Sequence, residues 1–296
     1  MATPSADVLP PLEGVKYYFV VQNFCFRAIG VDLLSMKRTM VSGLLFWLPN
    51  ILELAICVPL ARYALENLED MSLVTDAMAP VWQVLMAILK MALFMWHKKD
   101  IKKLVWNLWL WNLEAIMWTQ KEVIWDILLS SLSVFFLFFL SYYVDPKGSY
   151  LGYFTVHIWT CIAIYAVLNT TLAADSLFSW IFHNISAHFA ILRERLICVA
   201  FSETEGKQSY ANLKKSLAEY VRYHQRILDT IDDFNEVFMM IVFVKFLISC
   251  IQIAFLAFQF VRGGDFAGQI FHMFFLTSIS IQMMLYCYGG QRIKDE

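Results

Sequence analysis

The sequence predicts an all-α membrane protein: a polytopic bundle of six membrane-spanning helices with a cytoplasmic N-terminus. Of its 296 residues, 59% are hydrophobic and 16% are charged, whereas a soluble domain averages roughly 45–50% apolar and about 25% charged residues. The apolar residues are collected in runs long enough to cross a bilayer, which takes roughly 20 residues. Basic residues fall between alternate runs. We therefore interpret residues 1–296 as a single transmembrane domain.

The apolar runs give the predicted spans in order. The first, at about 40–62, contains Pro49 and Pro59, which are tolerated in helices surrounded by lipid and neighbouring helices. The second covers about 71–96, and the third, at about 127–144, carries no charged residue. The other three cover about 151–174, 238–261 and 266–288.

The distribution of basic residues fixes the predicted orientation. Of the 23 Lys and Arg residues, 18 lie before span one, after span two, after span four or after span six. The other three gaps hold one each, at Arg62, Lys147 and Arg262. Because basic loops stay in the cytoplasm, both the N-terminus and the segment after span six are predicted to be cytoplasmic. This orientation argues against a G-protein-coupled receptor, whose N-terminus is outside.

Spans four and five are predicted to continue as helices into the cytosol, at about 175–237. Residues 153–199 contain neither Pro nor Gly, and a bilayer of roughly 30 Å uses only about 20 of them. Apolar residues recur at heptad spacing from Leu213 to Phe238 and lead into span five. These stripes either pack on each other or also form a subunit interface, for which the candidates are Phe189, Leu192, Leu196, Leu217, Tyr220, His224, Ile227 and Ile231.

Few residues suggest chemistry. Charges within spans are functional candidates: Glu53 lies in the middle of span one and Asp175 near the inner end of span four. Lys90 and Lys245 are expected to extend toward the cytosolic surface. No catalytic, cofactor or nucleic-acid motif occurs, and the six cysteines have no paired spacing, so the sequence predicts neither an enzyme nor a metal site.

The outer halves of the spans are rich in aromatic and sulfur-containing side chains. Such walls suit small apolar ligands, because they contact a ligand by dispersion and tolerate varied shapes. They also suit contacts with lipid or neighbouring helices. The candidate ligand-binding residues are Met78, Trp82, Met86, Phe135, Phe139, Tyr142, Phe154, His157, Cys161, Phe271 and Phe274.

Three stretches resemble the insect odorant receptors, a family of seven-span olfactory receptors. The stretch from Tyr286 to Glu296, with its Tyr-Cys-Tyr-Gly-Gly start, resembles the segment after that family's sixth span. His183 to Leu196 is similar to its fourth-span extension, and His224 to Gln259 to its entry into span five. The resemblance implies an odorant-gated, non-selective cation channel subunit. It also implies a hetero-tetramer with a shared co-receptor, a small volatile ligand, and the plasma membrane of sensory neurons.

Two departures from the family accompany this resemblance. The family's seventh, pore-lining span would follow Glu296, and only residues 145–149 separate spans three and four, where the family has a longer loop. We therefore expect the sequence to be partial and to give no odorant-evoked current in this form. A gustatory receptor is the nearest alternative, and a secondary transporter is a further one, although no internal repeat relates the two halves of the chain.

Overall fold

The structure, a computed structural model, describes residues 20–28, 30, 40–111, 150–204, 210–263 and 266–295. This part of the chain is helical and has no strand, which confirms the predicted all-α class. The predicted third span, at 127–144, lies outside it. The helices are α1, Val20–Ala28; α2, Met40–Glu66; α3, Met71–Trp96; α4, Lys98–Trp111; α5, Tyr150–Thr204; α6, Tyr210–Arg262; and α7, Phe266–Asp295.

Helices α2, α3, α5, α6 and α7 contain the predicted spans one, two, four, five and six. Among the described residues, three segments are both long enough and apolar enough to cross a membrane: Leu73–Trp96, Leu213–Arg262 and Gly268–Asp295. Helix α2 continues through Pro49 and Pro59 without a break.

The longest helices are α5, with 55 residues, and α6, with 53. At a rise of about 1.5 Å per residue each is about 80 Å long, far more than a hydrocarbon layer of roughly 30 Å. Their cytosolic ends therefore project well beyond the bilayer. This agrees with the absence of helix-breaking residues between 153 and 199.

Helix α6 ends on the outer side at Gly263, whose φ of 75° lies in the left-handed region that glycine adopts without steric cost. Near this end, the Arg262 guanidinium donates to a carboxylate oxygen of Asp70 over 3.2 Å. Asp70 directly precedes α3. The outer ends of α3 and α6 are thereby joined.

The larger apolar core lies toward the cytosolic side, where α3 to α7 converge. Its centre is Phe178 of α5, whose ring centroid lies 5.4 Å from Phe234, 5.5 Å from Phe238 and 4.4 Å from Tyr286. A smaller cluster in the outer half joins α6 to α7 through Leu256, Phe275 and Ile279. The structure therefore anchors the spans most firmly at their inner ends.

Candidate functional site

Polar side chains join α3 to α6 through the thickness of the bundle. The Gln252 amide of α6 donates to the Gln83 carbonyl of α3 over 3.1 Å. One level further out, the Gln259 amide donates to the Thr75 hydroxyl. Because these groups are buried, each hydrogen bond satisfies atoms that would otherwise lose water without compensation.

The hydrogen bonds between α3 and α6 form a polar seam. At its inner end lies a cluster that we call the charge junction, formed by Lys90, Asp175, Lys245, Gln282 and Tyr286. The Lys90 ammonium and the Tyr286 hydroxyl both donate to Oδ1 of Asp175, each over 2.5 Å. The Lys245 ammonium donates to Oε1 of Gln282, also over 2.5 Å. Four helices, α3, α5, α6 and α7, thus meet through polar side chains that are at most 8% exposed.

The expectation that Lys90 and Lys245 reach the cytosolic surface is wrong. Lys90 is 0% and Lys245 is 1% exposed, because neighbouring helices cover both ammonium groups before they reach the surface. Glu53, which the sequence places in the middle of span one, is 2% exposed and therefore faces the bundle interior. The two lysines have buried hydrogen-bond partners, as charged groups within membranes usually do.

A cavity of about 10 Å³ lies beside the charge junction and is lined by Asp175, Ser176, Phe178, Gln282 and Tyr286, among others. This space suffices for about one water molecule. The second carboxylate oxygen of Asp175, Oδ2, is buried and has no hydrogen-bond partner among the described residues. The cavity therefore suits a water bound to Asp175 and is too small for an odorant-sized ligand.

The predicted ligand-binding residues lie in several environments. On α3, Met86 is fully buried, Met78 is half-buried, and the Trp82 ring lies 6.5 Å from that of Phe255. Cys161 is half-buried, whereas Phe154 and Phe274 are 61% and 45% exposed. The placement of this set as a ligand site remains a prediction, because the structure does not describe Phe135, Phe139 and Tyr142 or the side chains of His157 and Phe271.

The cytosolic extensions of α5 and α6 pack on each other near the membrane. Ile185 and Ile227 are buried, and the Phe189 ring lies 6.1 Å from that of His224. Phe189, Leu192 and Ile231 are partly buried against the same core. Tyr220 is half-buried and His224 is exposed. Further from the membrane, Leu196 and Leu217 are 47% and 52% exposed.

The extensions also share a partly buried hydrogen bond. Nδ1 of His188, on α5, lies 2.7 Å from the Tyr223 hydroxyl of α6. Burial of the imidazole, aided by the positive charge of Arg195, lowers the pKa of His188 from 6.5 to about 4. The ring is therefore neutral at physiological pH in the folded chain.

The His188 site predicts loss of stability in mild acid. Between pH 6.5 and about 4 the unfolded chain binds a proton at His188 that the folded chain does not, so unfolding becomes easier as the pH falls. From pH 6.5 to pH 5 the loss is about 1.6 kcal/mol. Thermal unfolding of the purified chain at both pH values measures it. His188→Gln is expected to flatten this dependence, whereas His224→Gln, at an exposed position on α6, is expected to keep it.

Sequence reasoning missed the partners within the membrane, although a signal was present. Lys245, Gln252 and Gln259 are spaced by seven residues, and so are Gln83 and Lys90. Seven-residue spacing places side chains on one face of a helix. Two facing polar stripes on antiparallel spans would have predicted the α3–α6 seam.

Together, the apolar helices, the polar seam and the cytosolic extensions define a multi-pass helical membrane protein. Solved structures of the same architecture exist. The insect olfactory receptor OR5 from Machilis hrabei matches with a TM-score of 0.72 at 15% identity, over 95% of this chain and 79% of that one. Its complex with eugenol matches with a TM-score of 0.70, over 94% and 78% of the two chains.

Sequence comparison identifies the family. The model of the 7tm odorant receptor family matches residues 136–296, more than half of the chain. Odorant receptor 45a of Drosophila melanogaster is 26% identical over 94% of this chain and 81% of its own length. Odorant receptor 47a of the same species is 23% identical over 94% and 80%. The chain belongs to the 7tm odorant receptor family, which is not a family of enzymes.

Proposed function

We propose that this chain is the odorant-binding subunit of a ligand-gated, non-selective cation channel that it forms with a co-receptor. Membership of the odorant receptor family carries the proposal. A protein of the same architecture has been solved in complex with eugenol, a small volatile ligand. We place the assembly, a hetero-tetramer, in the plasma membrane of sensory neurons.

The outer half of α3 supports a ligand site for small apolar molecules. It contributes two methionines and a tryptophan on successive turns, at positions 78, 82 and 86. The nitrogen of the Trp82 indole is buried and has no hydrogen-bond partner among the described residues. A ligand that packs on this ring and accepts one hydrogen bond would satisfy it. The site therefore favours apolar molecules with a single acceptor, such as an ether, carbonyl or hydroxyl oxygen.

Odorant-evoked current tests the proposal. Cells express the receptor together with a co-receptor and receive a panel of volatile compounds. We expect at least one compound to open a cation conductance that cells with the co-receptor alone lack. Identical responses in both sets of cells would refute the proposed function.

The same cells test the ligand site. Trp82→Ala removes the ring and is expected to raise the half-maximal ligand concentration about tenfold, since aromatic contacts contribute roughly 0.5–1.5 kcal/mol beyond their buried area. Trp82→Phe keeps a ring and is expected to cost less. Trp96→Ala is the matched control, because Trp96 lies at the inner end of the same helix and is 84% exposed. Equal effects at positions 82 and 96 would place the ligand elsewhere.

A further inference from the structure

We propose that Gln282 and Tyr286 form a two-point latch by which α7 holds the buried charges of the bundle in one arrangement. The two residues are four apart and so lie one turn apart on the same face of α7. Gln282 accepts the hydrogen bond of Lys245 on α6, and Tyr286 donates to Asp175 on α5. One turn of a single helix therefore contacts both parts of the charge junction.

The charge junction contains more positive than negative side chains. Among the described residues, two lysines, Lys90 and Lys245, are buried beside one carboxylate, that of Asp175. Asp175 forms its ion pair with Lys90 over 2.5 Å, whereas Lys245 donates to the uncharged amide of Gln282. A buried ammonium needs a close partner to offset its lost hydration. Lys245 therefore depends strongly on the position of Gln282.

Both contacts of the latch respond to the same movement. Helix shifts of about 1–2 Å are common in switching proteins, and hydrogen bonds weaken sharply beyond normal donor–acceptor distances. A shift of α7 along its axis would therefore weaken the bonds of Gln282 and Tyr286 together. The carboxylate would keep Lys90, and Lys245 would lose its acceptor.

The next turn of α7 fixes its depth against α5. A Cβ at Gly289 would lie 2.9 Å from Cδ1 of Phe182, so only glycine permits this approach without a shift. Arg292 lies 3.4 Å from Nδ1 of His183, one residue further along α5. The latch and this close contact thus form a continuous strip from residue 282 to residue 292. This strip includes the tyrosine–cysteine–tyrosine–glycine stretch that the sequence made conspicuous.

Hydrogen exchange of the purified chain in lipid nanodiscs tests the latch. Gln282→Leu and Tyr286→Phe each remove one hydrogen bond and are expected to speed exchange of the backbone amides at 282–290 about tenfold, which corresponds to one buried hydrogen bond. Ser280→Ala is the matched control on α7, because the Ser280 hydroxyl donates to the Leu276 carbonyl of its own helix, over 2.8 Å, and makes no bond to another described helix. Equal acceleration by Ser280→Ala would overturn the latch.

Double variants distinguish the loss of a specific latch contact from a general loosening of the bundle. Lys245→Met removes the cation that donates to Gln282. The double variant Lys245→Met with Gln282→Leu is therefore expected to exchange within about twofold of the original rate. Adding Lys245→Met to Tyr286→Phe is expected to leave exchange fast. Gln282→Glu supplies a carboxylate to Lys245 and is expected to slow exchange, which keeps the test decisive even if Gln282→Leu fails to fold. Rescue of both variants or of neither, or faster exchange in Gln282→Glu, would contradict the proposal.

Discussion

Replacing Asp175 with leucine is expected to destabilise the receptor by about 3–5 kcal/mol, the usual cost of removing one partner from a buried ion pair. The substitution leaves Lys90 and Lys245 buried without a carboxylate, and it removes the acceptor of the Tyr286 hydroxyl. Proteins have only about 5–15 kcal/mol of stability in total. We therefore expect a clearly lower midpoint of thermal unfolding and a reduced recovery of folded protein from detergent extracts, as measured by thermal unfolding and size-exclusion chromatography.

A second substitution is expected to recover much of this loss. Lys90→Met combined with Asp175→Leu replaces the ion pair with apolar side chains of similar size, which is often neutral or stabilising. Asp233→Leu is the control, because its ion pair with Lys103, at 3.2 Å, lies at the surface, with side chains 37% and 64% exposed, and surface pairs contribute about 0–1 kcal/mol. A stable Asp175→Leu protein, or a double variant no better than the single one, would show that the carboxylate does not hold the junction together.

The combined substitution of Leu217 and Val221 by glutamate is expected to prevent assembly with a co-receptor. These residues lie four apart on the cytosolic part of α6 and are 52% and 59% exposed. Leu196 and Ile197 of α5 are likewise 47% and 40% exposed. Exposed apolar side chains in such a group are typical of interfaces. Because they are not part of the chain's own core, charges there leave folding intact but oppose burial against a partner.

Co-purification measures this assembly. Two buried carboxylates are expected to lower recovery of the complex at least about tenfold, since a single interface hot spot contributes roughly 2 kcal/mol or more. Lys215→Glu is the control, an exposed polar position on the same helix. The unchanged thermal stability of the isolated subunit would show that folding is not the cause. Normal recovery of the complex with both glutamates present would place the interface elsewhere.

The proposed interface illustrates why a heptad pattern alone does not reveal what covers an apolar helix face. The stripe from Leu213 to Phe238 is continuous in the sequence, and the structure divides it. Ile227 and Phe238 are buried within the chain, whereas Leu217 is half exposed. A periodic stripe indicates only that a helix has an apolar face. How much of that face the neighbouring helix covers depends on where α5 and α6 diverge, which is a tertiary property.

The proposed odorant site is difficult to locate from sequence for a similar reason. Aromatic and sulfur-containing side chains identify a half of the bundle, because lipid contacts and ligand contacts favour the same residue types. The structure separates buried Met86 from exposed Phe154, a difference that composition does not contain. Whether such a side chain is buried depends on the direction in which it leaves its helix, and helix packing sets that direction relative to the neighbouring helices.

The sequence by itself determined the fold class and the long helices α5 and α6, because these depend on local quantities: the length of apolar runs and the absence of Pro and Gly. The distribution of Lys and Arg predicts the orientation. Only the tertiary structure decided what the charges within the membrane do. Lys90, Asp175, Lys245 and Tyr286 are far apart in the chain, on four different helices, and their partners are set by helix packing. A lysine in a buried ion pair and a lysine that extends to the surface can have the same local sequence, because they differ only in the side chains that lie beside them.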